Sequence, residues 1–205
     1  MRKILLPALS VLLLLIPPGA AQEFDLGWQA YTRSDYATAL REWRPLAEQG
    51  IASAQYALGH MYDAGQGVIR DDATAAKWYR LAAEQGHPRA QNNLAVMYEQ
   101  GPGVPTSFAE AAKWYSRSAE QGFAIAQYLF GDFYEFGKGV PQDLLQAHMW
   151  YSLAAAQGNE NAIESRDLIA LKMTPGEIEK AQRMAREWLE KHPRTWVEKH
   201  PMTWR

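Results

Sequence analysis

The sequence predicts an all-α chain, an α/α superhelical repeat solenoid of stacked helix-turn-helix units, and three observations predict it. Ala-Glu-Gln-Gly stands at 47–50, 83–86 and 119–122, and Ala-Ala-Gln-Gly at 155–158, a period of 36 residues. Side chains recur in columns at the same step: Leu58/Leu94/Phe130, Tyr62/Tyr98/Tyr134, Trp78/Trp114/Trp150 and Tyr79/Tyr115/Tyr151. Glycines punctuate the pattern at 65/101/137 and 67/103/139, the second of each pair followed by Val68, Val104 or Val140. One such unit cannot bury its Tyr and Trp faces alone, but stacked units can, so stability is expected to be a nearest-neighbour property.

Taken in chain order, Met1-Arg2-Lys3 is a basic head and Ile4 to Ile16 an apolar run interrupted only by Pro7 and Ser10. Gly19 and Ala21 are the small residues of a cleavage site. Residues 1–21 therefore read as a secretory signal peptide cut after Ala21. The run falls short of the roughly 20 residues a spanning helix needs. The mature chain is expected to be periplasmic or secreted, with no stable membrane insertion after cleavage. Residues 22–50 read as a degenerate leading helical unit. Trp28, Tyr31, Tyr36, Leu40 and Trp43 have helical spacing there, and Trp43 falls in the Tyr79 column.

Residues 51–158 hold three full units. First helices are expected at 52–64, 88–100 and 124–136, where Ala54, Leu58, Met61 and Tyr62 set the helical period in the first unit. Second helices are expected at 71–85, 107–121 and 143–157, with Asp71, Ser107 and Asp143 placed to accept orphan N–H groups at their starts. Gly50, Gly86, Gly122 and Gly158 close helix ends. Gly59 and Gly131 lie inside first helices, with Ala95 between them in register, and a small residue there lets a neighbour approach closely. Residues 159–191 read as a partial fourth unit and a capping helix: Thr174 is the N-cap, Pro175 the first helical residue and Glu177 the capping-box partner. Residues 192–205 read as a flexible tail with a short duplication, Glu190-Lys191-His192-Pro193 through Trp196 repeated as Glu198-Lys199-His200-Pro201 through Trp204.

The first unit runs Ala52-Ser53-Ala54-Gln55-Tyr56-Ala57-Leu58-Gly59, Tyr62, Gly65-Gln66-Gly67-Val68, Asp71, Ala75-Ala76-Lys77-Trp78-Tyr79 and Ala82-Ala83-Glu84-Gln85-Gly86. This resembles the Sel-one-like repeat, a tetratricopeptide-type α/α solenoid family. The middle unit departs with Pro88, Ala95 and Ser107, changes that conserve packing. The resemblance implies a superhelical scaffold for protein–protein assembly and no fixed chemistry.

Composition narrows the function further. A formal net charge of −2 offers no basic field for nucleic acid. The absence of cysteine removes disulfides, thiol catalysis and zinc-thiolate sites. The five histidines show no His-x-x-x-His spacing, and His192 with His200 makes a poor metal site on a tail. There is no Gly-x-Ser-x-Gly, Ser-x-x-Lys or Lys-Thr-Gly. No catalytic residue, metal or cofactor is therefore expected. Within the first helices, Gln55, Gln91 and Gln127 are invariant, which suits a structural role. Three other positions differ from unit to unit: Tyr56/Asn92/Tyr128, His60/Val96/Asp132 and Asp63/Glu99/Glu135. Their i, i+4, i+7 spacing puts each set on one helix face, the face that lines the concave wall of such stacks. These nine residues are the candidate partner-binding set. The expected function is an exported, non-enzymatic scaffold binding a protein or peptide of the cell envelope. A cell-wall enzyme or inhibitor acting on peptidoglycan or a β-lactam is the alternative, and a structural spacer a second.

Overall fold

The structure is a computed structural model that describes residues 20–192. The signal-peptide reading falls almost wholly on residues outside it, as do Trp196, His200 and Trp204. Among the described residues there are ten helices and no strand. A leading hairpin pairs α1 (Ala20–Thr32) with α2 (Tyr36–Glu48). Three hairpins follow: α3 (Ala52–Ala64) with α4 (Asp72–Glu84), α5 (Pro88–Gln100) with α6 (Phe108–Glu120), and α7 (Ala124–Phe136) with α8 (Leu144–Ala155). The chain closes with α9 (Glu160–Ala170) and α10 (Pro175–Lys191). Each helix packs on its successor from α1 to α9, and α10 packs back on α8. The chain is the predicted α/α solenoid.

The three first helices span the expected residues, and local chemistry fixes where the second helices begin. The Asp71 carboxylate accepts from the N–H groups of Ala73 and Thr74, the Ser107 hydroxyl from Glu110, and the Asp143 carboxylate from Leu145 and Gln146. These bonds satisfy orphan donors of the first turn. The Thr174–Glu177 capping box opens α10 as expected.

Stacking is specified by two glycine contacts and a glutamine ladder. In the turn between first and second helices, Gly103 has φ +73 and Gly139 φ +67. A Cβ on Gly103 would fall on the carbonyl of Asp72, and one on Gly139 on that of Phe108. Each turn thus rests on the first residue of the preceding unit's second helix, an approach only glycine permits. Within the helices, the rings of Trp43, Tyr79 and Tyr151 lie over Gly27, Gly59 and Gly131. Gly27 extends that column into the leading unit, as Trp43 does.

The ladder runs through the invariant glutamines. Gln55, Gln91 and Gln127 donate to the carbonyls of Ala47, Ala83 and Ala119 at 3.1, 3.0 and 3.1 Å. The same three accept from Gln85, Gln121 and Gln157 at 2.7, 2.7 and 2.8 Å. Both ends of each buried amide are paired, so burial costs little. The expected structural role is met.

The last helix departs from the pattern. In full units the second helix pairs with the first, whereas α10 lies mainly on α8. Ala181 and Ala185 are buried there, and Trp188 meets Trp150 edge-on with centroids 6.0 Å apart. The charged residues of α10 lie on its other faces, which suits the end of a stack.

Candidate functional site

The first helices α3, α5 and α7 carry the nine candidate residues, and α1 stands before them and α9 after them in the row. Side chains tie these helices across unit boundaries. Tyr31 on α1 reaches His60 on α3 at 3.2 Å and donates to Gln66 Oε1 at 2.6 Å. Since a phenol has one proton, His60 Nδ1 is the donor in the 3.2 Å contact. Lys138, just after α7, pairs with Glu99 on α5 at 3.1 Å, and Lys172, just after α9, with Glu135 on α7 at 3.3 Å.

A buried tyrosine from each second helix anchors this wall from behind. Tyr79 lies 3.2 Å from Asp63, Tyr115 donates to Glu99 at 3.0 Å, and Tyr151 lies 2.9 Å from Glu135. Burial, with the neighbouring carboxylates adding to it, pushes all three phenols well above their ordinary range, so they remain donors. The column Asp63/Glu99/Glu135 therefore keeps a carboxylate for a structural reason. Its signal was present in the sequence as an acidic residue sixteen positions ahead of each tyrosine, a relation read there only as variation.

The structure corrects the premise that packing leaves all nine candidates free. Tyr56, Asn92 and Glu135 are buried. Tyr56 stacks on His87 at 4.7 Å across the unit boundary and leans on Tyr79 of its own unit, contacts that spacing along one helix cannot reveal. Asn92 donates to Asn93 within α5. Asp63 and Glu99 are half-buried and committed to tyrosines. His60, Val96, Tyr128 and Asp132 are half-buried with part of each surface open. Burial lowers the pKa of His60 despite nearby Asp63, so its imidazole is neutral at neutral pH. Burial raises that of Asp132, against the hydrogen bond from Tyr151 at 2.6 Å. The Tyr151 phenol thus faces two carboxylates with one proton.

Outside the first-helix wall, two open clefts stand out. One of about 470 Å³ lies along α4 against Gly103 and Val104, with Lys77 and Arg80 on its rim. The other, of about 500 Å³, lies between α8, α9 and α10. Sequence reasoning pointed to neither, because both depend on how distant helices meet. Among the described residues there is no cluster of three or more metal-ligating side chains, and no helix is long and apolar enough to cross a membrane.

A stack of helical hairpins held by invariant glutamines and glycine-seated rings, with a half-open wall of first helices, defines an α/α repeat solenoid. The Sel1 repeat pattern matches residues 52–87, 88–123, 124–159 and 174–191, more than half of the sequence, and the chain belongs to the Sel1 repeat family. Its fourth match falls on α10, the helix that crosses onto α8. Among solved structures, the chain is similar to a Sel1 repeat protein from Oxalobacter formigenes at 43% identity, covering 63% of this chain and 97% of that one, with a TM-score of 0.59. It is also similar to c5321, a protective antigen of uropathogenic Escherichia coli strains displaying an SLR fold, at 27% identity and a TM-score of 0.61. That match covers 91% of this chain, which spans 49% of the length of c5321. Among curated proteins none matches the chain. Sel1 repeats generally mediate protein–protein interaction and form a generally non-catalytic fold.

Proposed function

We propose that the protein is an exported, non-catalytic scaffold that binds a protein or extended peptide of the cell envelope along the wall of its first helices. One observation carries this reading. The column His60/Val96/Asp132 is half-open and chemically different in every unit, while beside it Tyr56, Asn92 and Glu135 are buried and Asp63 and Glu99 are tied to tyrosines. A base, an apolar side chain and a carboxyl thus stand in a row on a rigid frame. A frame that is already ordered loses little entropy on binding. Tyr128 adds a half-exposed aromatic of the kind that anchors interfaces. Export is supported by the composition of residues 1–21. Cleavage after Ala21 would leave Gln22 to Thr32 of α1 to pack on α2.

The test is affinity capture from envelope extract with the wild type and with His60→Ala, Tyr128→Ala and Asp132→Ala combined. Loss of the partners that wild type retains, with helical dichroism and cooperative unfolding kept, is the expected result. An identical set of captured proteins removes the first-helix wall as the binding surface. N-terminal sequencing of protein recovered from the periplasmic fraction should begin at Gln22; an intact Met1 refutes export by cleavage.

A further inference from the structure

We infer that the cleft between α8, α9 and α10 is a binding site for a small organic anion, a carboxylate or phosphoryl group on an apolar body, received by Arg166, Arg186 and His148. The cleft measures about 500 Å³, within the range of small-molecule sites and larger than a bare oxyanion needs. None of the nine candidate residues lines it, and its existence does not rest on the scaffold reading.

His148 marks the site as a departure from the repeat frame. Its equivalents in the two preceding units are Ala76 and Ala112, and buried alanine there serves packing alone. In the third unit a histidine takes that position and lines the cleft with only 2% of its surface exposed. Ser152 Oγ donates to the His148 carbonyl at 2.7 Å, which leaves its oxygen to accept from His148 Nδ1 at 3.4 Å. The Nε2 atom then makes no hydrogen bond among the described residues. The ring is almost wholly covered while this one nitrogen, without a hydrogen-bond partner, stays accessible at the cleft it lines, a placement that suits a ligand atom.

The charged lining favours an anion. Arg186 makes no ion pair among the described residues. Arg166 holds one oxygen of Asp167 through Nε and Nη2 at 2.9 and 2.8 Å, which leaves its Nη1 edge for another acceptor. The charged groups that act on His148 are Arg166 and Asp167 from α9, Arg186 from α10 lines the same cleft, and the neutral Ser152 lies on its own helix. Ala170 and Ile178 supply an apolar wall beside them, where the body of the ligand would lie.

Protonation follows from this geometry. Burial, and Arg166 after it, lower the pKa of His148, so the ring is neutral near neutral pH and its Nε2 is an acceptor. An oxyanion beside it favours the protonated ring, with Nε2 as donor. Binding of an anion near neutral pH therefore takes up a proton.

Titration calorimetry of the full chain with butyrate, phenyl phosphate and butan-1-ol tests the site. Saturable binding of butyrate or phenyl phosphate and none of the alcohol is expected. The heat should depend on the ionisation enthalpy of the buffer in the sense of proton uptake. Butyrate alone binding identifies a carboxylate site, and phenyl phosphate alone a phosphoryl site. His148→Ala restores the residue the other units carry and should abolish proton uptake; Arg186→Gln, at an exposed position, should weaken binding about tenfold or more. No saturable binding of either anion, equal binding of the alcohol, uptake that survives His148→Ala, or affinity within about twofold in Arg186→Gln overturns the inference.

Discussion

Gln91 shows how one side chain links two units: it donates to Ala83 of the preceding hairpin and accepts from Gln121 of its own. Gln91→Ala removes both bonds and leaves the Gln121 amide short of a partner. The expected loss is about 1–3 kcal/mol, read as a lower urea midpoint at unchanged slope. Gly131 works by absence. A Cβ there would come within 2.6 Å of the Tyr151 ring, so Gly131→Ala should cost about 1–3 kcal/mol through overpacking, although alanine is the better helix former. Ala95 holds the equivalent position beside Tyr115, and there the reverse change, Ala95→Gly, should lose about 1 kcal/mol. Opposite preferences at two equivalent positions are the signature of a ring seated on a helix backbone; a gain from Gly131→Ala in the same urea measurement would contradict it.

Asp132 adds a dependence on pH. Its folded-state pKa is raised by burial, so the folded protein binds more protons than the unfolded chain above the ordinary aspartate value of 3.8. The stabilisation linked to that proton is complete below 3.8 and is lost as pH rises through the raised value. Asp132→Asn keeps an acceptor for Tyr151 without the titration. Its stability relative to wild type should therefore climb with pH across that window, checked by urea unfolding at a series of pH values. A difference that stays level with pH would remove the buried carboxyl as its source.

The elements divide by what determines them. The bounds of α3, α5 and α7 were legible because each is marked by local chemistry: the apolar period, a glycine after its end, and a turn that feeds the next cap. Their open surface was legible only in part. The i, i+4, i+7 stripe placed Tyr56 and Tyr128 alike, yet Tyr56 is covered by His87, the N-cap of α5, whose equivalent for Tyr128 is Asn159, the N-cap of α9. Contacts of this kind lie across the unit boundary, where period carries no information. The last helix was legible as a helix, through its capping box, but its seat on α8 was not. That seat predicts that Trp188→Ala, which strips the aromatic cover from Trp150, costs about 2 kcal/mol. The change in near-ultraviolet dichroism should come with it, and an unaltered aromatic signal would mean that the two rings do not meet.

Across the three full units, the interfaces are built from the same parts, and equivalent parts should be interchangeable. Removal of residues 88–123 joins His87 to Ala124 and places the third unit directly on the first. Gln127 then meets the carbonyl of Ala83 in place of Ala119, Gly139 the carbonyl of Asp72 in place of Phe108, and Lys138 the carboxylate of Asp63 in place of Glu99. None of these exchanges changes the chemistry of the contact. The shortened chain is therefore expected to fold cooperatively, with helical dichroism per residue close to that of the full chain. Its stability should be lower by one unit and one interface, and its urea slope smaller in step with the surface buried. A chain that is unfolded after this deletion would show that the units differ where they meet, and that the ladder of glutamines and glycines is not what holds them in register.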